Sequence, residues 1–221
     1  MTSPFQKSSV PSDRTIRDAG KFDQHYFEEE NYVYGEWYRD QAKIIVERMF
    51  RHIKPERDWI FLDVGCALGG IVEELRKKKF ESYGIDLSRW CLKKSPVREY
   101  LTFGSVTGIP CADQSVDVVT CIDMFQYLTK KEMEKAAKEL RRITRRLLFF
   151  ECITSEDEAF SDPKENPDPE RKDRSLLSED GYIKVLEAAG FRLKKKGFLP
   201  RVIKAKPYDH EFSFNAVFEV L

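Results

Sequence analysis

Three glycines, Gly65, Gly69 and Gly70, lie in the segment 61–70 (FLDVGCALGG), which begins within an apolar run that spans residues 59–64. A short apolar run that is bounded by charge and then by glycine is typical of a buried parallel strand. Glycines at a turn from a strand to a helix let a ligand approach the backbone, and the N-terminus of the helix offers unpaired N–H groups. The segment therefore predicts a binding site for a ligand that carries a carboxylate or a phosphate.

Acidic residues end two of the later predicted strands. Asp86 ends the second strand in YGIDLS, and Asp123 follows the fourth. A carboxylate at the position of Asp86 can accept hydrogen bonds from both hydroxyls of a ribose. Asp123 either caps the helix that follows it or contacts the ligand. The glycine loop and these strand-terminal acids together predict a nucleoside-binding site.

Dinucleotide-binding sites share the glycine loop and the ribose acid, but they differ at two positions. Their pattern is G-x-G-x-x-G, whereas Ala67 replaces the middle glycine here, and Asp63 stands where those sites have an apolar residue. A carboxylate at Asp63 would repel a pyrophosphate but can receive an ammonium, directly or through water. S-Adenosylmethionine has an ammonium on its amino acid end, a ribose and an adenine, so it fits the pattern better than a dinucleotide.

Alternating strands and helices must position these residues. The sequence predicts strands at 59–64, 82–85, 100–103, 116–122, 147–152, 191–199 and 211–221. Helices are predicted over 38–53 and from Gly69 to about 79. A third begins at Lys130, with Thr144 on its apolar face, and a fourth spans 178–189 with Ser178 as its N-cap. This alternation implies a parallel sheet with helices on both faces, which is a doubly wound, three-layer α/β/α fold.

The stretch from Trp59 to Leu128 resembles the class I S-adenosylmethionine-dependent methyltransferases of the small-molecule type. The resemblance rests on DVGCALG at 63–69, on GIDLS at 84–88 and on the segment 104–128. The segment EAAGF at 187–191 and a final pair of strands are also similar to that family. The resemblance implies a Rossmann-like seven-stranded sheet of order 3-2-1-4-5-7-6 with the last strand antiparallel, S-adenosylmethionine as the cofactor, and methyl transfer as the activity.

The resemblance also implies which residues contact the cofactor. The chain departs from the family at Ser105–Val106, where relatives usually carry an Asp and an apolar residue that hold the adenine, and at Tyr127, where many relatives carry a histidine. The adenine amino group would then meet a hydroxyl or a backbone acceptor. The residues expected at the cofactor are Asp63, Gly65, Cys66, Ala67, Gly69, Asp86, Leu87, Ser105, Val106 and Asp123.

An aromatic-rich segment precedes the sheet. Residues 22–38 hold seven aromatic side chains, and such a segment is either a static cap or a lid over the active site, where aromatic faces suit a sulfonium and a flat substrate. We therefore divide the chain into a flexible N-terminus with this lid or cap (1–38) and a methyltransferase domain (39–221). The candidate substrate contacts are Tyr26, Tyr34 and Trp37, and the candidate catalytic residues are His25, Asp123 and Tyr127, followed by His210.

Composition limits the class of protein. The 221 residues carry 38 basic and 38 acidic side chains, which disfavours a protein whose main role is to coat nucleic acid. The five cysteines are odd in number and form no C-x-x-C pair, which indicates buried thiols of a cytoplasmic protein and no metal site. No stretch of the sequence predicts a signal peptide or a membrane span.

The sequence favours a methyltransferase that acts on a small or medium-sized metabolite by in-line methyl transfer, and two alternatives stay open. Residues 192–206 carry seven basic and no acidic side chains, which form either a solvated strand edge or the surface of an RNA or protein methyltransferase. Because Ala67 and Ser105 depart from the usual patterns, the chain could also be a non-catalytic scaffold that binds S-adenosylmethionine.

Overall fold

The computed structural model describes residues 4–5, 20–27, 37–157, 175–204 and 210–221. Within these ranges the chain forms nine strands and five helices. The strands are β1 (Ile60–Val64), β2 (Glu81–Asp86), β3 (Leu101–Phe103), β4 (Val116–Ile122), β5 (Thr144–Cys152), β6 (Phe191–Lys196), β7 (Val202–Ile203), β8 (His210–Glu211) and β9 (Phe214–Val220). The helices are α1 (Trp37–Met49), α2 (Gly70–Lys77), α3 (Arg89–Lys94), α4 (Lys130–Ile143) and α5 (Glu179–Ala188), and short 3-10 turns lie at Arg98–Tyr100 and Phe125–Tyr127.

Seven strands form one sheet in the order β3-β2-β1-β4-β5-β9-β6. β1 pairs in parallel with β2 and β4, and the parallel pairing continues to β3 on one side and β5 on the other. β9, the last strand in the chain, is antiparallel to both β5 and β6. Counting only the strands of this sheet, the order is 3-2-1-4-5-7-6, so the predicted fold class is confirmed.

Apolar side chains cover both faces of the sheet and make three layers. On β1, Leu62 belongs to a core that includes Met133 of α4 and Tyr182 of α5. Its neighbour Phe61 belongs to a second core that includes side chains of α1 and α2. Successive residues of a strand point to opposite faces, so a strand between two helical layers needs apolar side chains on both faces.

Several boundaries differ from those predicted. α1 ends at Met49, and Ile53 is buried outside the helix. Thr144 begins β5 instead of continuing α4: its backbone is extended, and its hydroxyl donates to the Leu140 carbonyl (2.6 Å). The expected strand at 191–199 ends at Lys196, and the final strand begins at Phe214, with the β7–β8 hairpin between them.

One helix, α3, was missing from the sequence prediction. It is six residues long, too short for an apolar period to be visible, and its clearest local signal is Ser88, whose side chain accepts a hydrogen bond from the Cys91 N–H. α3 follows Asp86 directly, so it forms part of the edge of the sheet where the candidate ligand residues gather.

Candidate functional site

The candidate residues lie at the carboxyl edge of the sheet. β1 is flanked by β2 on one side and β4 on the other, so the chain reverses its direction of winding between β1 and β4. Ligands of open α/β sheets bind in the crevice at such a point, outside the carboxyl ends of the strands. The glycine loop (65–69) follows β1, Asp86 ends β2, and Asp123 follows β4, so the fold brings them to one place.

The glycine loop has three residues in the left-handed region: Gly65 (φ +79°), Ala67 (φ +45°) and Gly69 (φ +78°). A side chain would also be obstructed at both glycines. A Cβ on Gly65 would lie 2.8 Å from the Met124 side chain, and one on Gly69 would lie 2.9 Å from that of Val97. The loop therefore needs glycine at both positions for conformational and for steric reasons.

Asp86 is tied to this loop. One carboxylate oxygen accepts from the Ala67 N–H and the other from the Ser88 N–H, each at 2.7 Å. Burial raises the pKa of Asp86, and the backbone N–H groups of Ser88, Ala67 and Leu87 oppose that rise. Each carboxylate oxygen can accept a second hydrogen bond, so Asp86 retains acceptor capacity for two ligand hydroxyls.

Asp63 lies within β1 and is 5% exposed. The Thr120 hydroxyl on β4 donates to it at 2.6 Å. Burial raises the pKa of Asp63 to about 7, against the opposing hydrogen bond from Thr120 and with a further contribution from the charge of Asp86. A cation placed beside this carboxyl group would favour its ionised form.

Asp123 has a left-handed backbone (φ +53°), and its N–H donates to the carbonyl (3.2 Å) and to Oε2 (3.1 Å) of Glu151 on β5. Met124 holds the N-cap position of the 3-10 turn that follows, so Asp123 does not cap it. Burial raises the pKa of both acids, and the charge of Asp123 raises that of Glu151 further. Sequence reasoning missed Glu151, although an acid inside the apolar run LLFFEC was a signal for it.

Part of the aromatic segment packs on this edge. The hydroxyls of Tyr26 and Tyr127 lie 3.0 Å apart, and the Phe22 ring is 5.3 Å from that of Tyr127. The Ser88 hydroxyl donates to the Phe22 carbonyl at 2.6 Å. Phe27 stacks on Trp90 of α3, and both belong to a cluster with Ala67 and Leu68 of the glycine loop.

The remaining candidates occupy different surroundings. The Ser105 hydroxyl lies 2.9 Å from that of Thr107, and Val106 is buried in the core. Cys66 is buried, and burial raises the pKa of its thiol, while Leu87 is half-buried beside Asp86. His25 is exposed next to Tyr26. Tyr34 and the side chains of Trp37 and His210 lie outside the described residues.

The structure adds one polar atom that the sequence did not single out. The indole nitrogen of Trp90 is buried, and it is one of two buried side-chain nitrogens among the described residues that have no hydrogen-bond partner. The same residues contain no group of three or more His, Cys, Asp or Glu side chains that could hold a metal ion. None of the described helices is both long and apolar enough to cross a membrane.

The family comparison agrees with this geometry. Residues 62–147, from β1 into β5, match the family model described as a methyltransferase domain. The chain contains a segment that matches a methyltransferase domain. The match includes the glycine loop, Asp86 and Asp123, and together with the fold it confirms the predicted enzyme class and S-adenosylmethionine as the cofactor.

Solved structures share the fold of this chain over most of its length. A protein from Pyrococcus horikoshii OT3 is 18% identical with a TM-score of 0.63, over 88% of this chain and 96% of that one. Magnesium protoporphyrin IX methyltransferase from Synechocystis PCC 6803, solved with bound S-adenosylmethionine, is 15% identical with a TM-score of 0.64, over 97% and 100%. An uncharacterized protein of Methanocaldococcus jannaschii is 23% identical over 166 residues, which are 73% of this chain and 69% of that protein.

Proposed function

We propose that this methyltransferase acts on a small or medium-sized metabolite in a site closed by its N-terminal segment. The observation that carries the proposal is the contact of residues 20–27 with the carboxyl edge, through the Tyr26 and Tyr127 hydroxyls (3.0 Å) and the Ser88 hydroxyl on the Phe22 carbonyl (2.6 Å). A segment that covers this edge encloses the reacting groups and excludes water. Such a site suits an acceptor small enough to be enclosed.

The residues present fit the cofactor. Asp86 would accept the ribose hydroxyls, because each of its oxygens has a backbone donor and room for one more hydrogen bond. Asp63 would receive the ammonium of the amino acid end, and the desolvated carboxyl would become ionised beside it. Gly65 and Gly69 keep the loop free of side chains where the cofactor would approach the backbone. Ser105 and Val106 would lie at the adenine.

S-Adenosylmethionine supplies a methyl group on a sulfonium, which is already activated for in-line displacement. The task of the protein is to hold the acceptor atom about 3 Å from that methyl group and to keep water out. A general base is required only if the acceptor is a weak acid. The candidates are His25, Asp123 and Tyr127, and the raised pKa of Asp123 makes its carboxylate a stronger proton acceptor than an ordinary aspartate.

The basic segment 192–206 gives little support to the alternative of an RNA or protein acceptor. Arg192 and Lys194 both pair with Glu219 of β9, and Lys196 pairs with Glu179 at the start of α5. A polyanion would have to compete with these acids for the same cations. We therefore favour the metabolite over a macromolecular acceptor.

We also propose an intracellular, reducing location for the enzyme. All five cysteines are free and buried. Secreted domains of this size commonly use cysteines in disulfides, whereas cytoplasmic proteins keep them reduced.

Deletion of residues 1–38 tests the closure. The matched variant is the full-length protein with Tyr26→Ala, which removes the contact to Tyr127 while the chain stays intact. We expect both variants to bind S-adenosylhomocysteine within about fivefold of the wild type by calorimetry, since ribose and amino acid contacts are made in the ground state. Turnover should fall much more, because positioning and water exclusion act mainly in the transition state.

Acceptors for the turnover assay come from native mass spectrometry of the purified protein, which detects co-purified ligands, and from a metabolite panel. Full activity of both variants would contradict a lid. A truncated chain that aggregates, together with a fully active Tyr26→Ala variant, would assign the segment to a static cap. Binding of S-adenosylmethionine without turnover on any acceptor would favour the scaffold.

A further inference from the structure

Glu151 is a buried acid at the carboxyl edge of the sheet, and neither the proposed cofactor contacts nor the proposed methyl transfer uses it. It lies in β5 and is 1% exposed. Its Oε2 accepts from the Asp123 N–H at 3.1 Å, and its Oε1 accepts from the Ser213 N–H at 3.0 Å. One side chain thus joins the turn after β4 to the segment that enters β9, across the strand that lies between them.

The turn after β4 needs such a restraint. Asp123 has φ +53°, and the left-handed region costs an L-residue about 1–2 kcal/mol. Residues persist in this region when their surroundings hold them there. The Asp123 N–H is held by the carbonyl and by the carboxyl group of the same residue, Glu151, so one position of β5 supplies both acceptors.

The conformation of this turn is transmitted to the glycine loop. Met124 follows Asp123, and its Cγ and Cβ would lie 2.8 and 3.2 Å from a Cβ built on Gly65. The Met124 side chain therefore packs directly against the first glycine of the loop. A different backbone conformation at Asp123 would move Met124 and remove one wall of the loop.

We propose that Glu151 is a positioning residue for the cofactor site: it fixes Asp123 in the left-handed conformation that sets Met124 against Gly65. This role concerns the shape of the cofactor loop and is independent of the acceptor. Glu151 acts through the turn and needs no contact with the cofactor or the substrate.

The test is calorimetry of S-adenosylhomocysteine with full-length variants. Glu151→Leu removes both acceptor oxygens and a desolvated acid without opening a large cavity, and we expect its Kd to rise about tenfold. Glu151→Gln keeps one oxygen that can still accept from the Asp123 N–H, with its NH2 at the place of the oxygen that faces Ser213, so its Kd should stay within about threefold of the wild type. Because glycine adopts positive φ without strain, Glu151→Leu should change the Kd by less than about twofold in an Asp123→Gly background.

Asp117→Asn is the stability control. Asp117 is also a buried acid, but it lies at the amino end of β4, whereas Asp123 follows the carboxyl end of that strand. It should lower the melting temperature and leave the Kd unchanged. An unchanged Kd for Glu151→Leu would overturn the proposal, and so would an equal loss of affinity in the Asp123→Gly background. If Glu151→Leu does not fold by circular dichroism, Glu151→Met, which also fills the site without a carboxyl acceptor, replaces it: a tenfold rise of the Kd supports the positioning role, and an unchanged Kd overturns it.

Discussion

The carboxyl groups at the two ends of β4 differ in whether a cation lies beside them. At the amino end, Asp117 is 3% exposed and accepts from the Ile60 N–H (2.9 Å) and from the side chains of Arg145 and Arg146 (3.2 Å each). At the carboxyl end, Asp123 faces Glu151, and among the described residues no lysine or arginine pairs with either acid. The first acid is paired with two arginines, whereas the hydrogen bonds of the second pair come from uncharged groups.

β2 repeats the contrast. Glu81 at its amino end pairs with Arg76 (3.2 Å) and accepts from the Tyr83 hydroxyl (3.0 Å), whereas Asp86 at its carboxyl end has only backbone donors among the described residues. Buried acids without a cation destabilise the folded state. These acids have uncharged donors from the chain but no cation, so a positively charged ligand group at this edge would stabilise them.

The largest expected effect is that of Asp86→Ala. It removes a charged acceptor from two ribose hydroxyls, and hydrogen bonds to charged groups contribute about 1.5–3 kcal/mol each. We expect the Kd for S-adenosylhomocysteine to rise at least about 100-fold by calorimetry. Glu81→Ala, at the other end of the same strand, should leave the Kd within about twofold. Equal effects of the two variants would remove the contrast between the edges.

The raised pKa of Asp63 predicts how the free energy of unfolding depends on pH. Its pKa is raised to about 7 in the folded protein, so between about pH 4 and pH 7 the folded chain binds more protons than the unfolded chain, and the free energy of unfolding falls as pH rises. Asp63→Asn should remove this contribution, which amounts to about 1.4 kcal/mol per pH unit. Denaturant unfolding at pH 5, 6 and 7 measures the difference between variant and wild type. A difference that does not grow with pH would contradict the raised pKa.

Gly65→Ala should weaken cofactor binding about tenfold. The variant places an L-residue at φ +79° and its Cβ 2.8 Å from the Met124 Cγ, and the left-handed conformation alone costs about 1–2 kcal/mol. Gly108→Ala is the control, because a Cβ there meets no atom within 4 Å. Calorimetry with S-adenosylhomocysteine compares the two. If both variants bind like the wild type, the loop adjusts more easily than its geometry indicates.

The smallest effect is expected for Tyr127→Phe, which removes the hydroxyl that lies 3.0 Å from that of Tyr26. A hydrogen bond of this kind contributes about 1 kcal/mol, so dissociation of S-adenosylhomocysteine, followed by stopped flow, should accelerate up to about fivefold. Tyr83→Phe removes a hydroxyl that donates to Glu81 at the opposite edge and should leave the dissociation rate unchanged. The reverse result would show that the N-terminal segment does not retain the ligand.

The sequence predicted the sheet order and the glycine loop because both depend on local patterns. Apolar runs such as 116–122 are readable as buried strands, and a resemblance to a known family supplied their order. Gly65 and Asp86 could be predicted because each lies at the end of a strand that is itself visible in the sequence: Gly65 follows β1, and Asp86 ends β2. The structure brings Asp63, Asp86 and Asp123 to one edge, as the parallel strand order requires.

Other features depend on contacts between distant parts of the chain. Glu151 meets Asp123 only because β5 lies beside β4, and Tyr26 meets Tyr127 across 101 positions. The short helix α3 has no visible period, and Thr144 fits the apolar face of α4 although its extended backbone already belongs to β5. A single sequence shows the residue types, such as an acid in an apolar run, but not which distant residue each one meets.

The charges on β6 have a further consequence for the protein in solution. β6 is the outer strand of the sheet beyond β9, and its backbone could pair with an extended chain from another molecule. Lys195 and Lys196 are exposed at its end, next to the ion pairs of Arg192 and Lys194 with Glu219. A second copy that approached edge to edge would bring the Lys195 side chains together, while Lys196 keeps its ion pair with Glu179. The edge therefore protects the folded enzyme against strand-mediated aggregation.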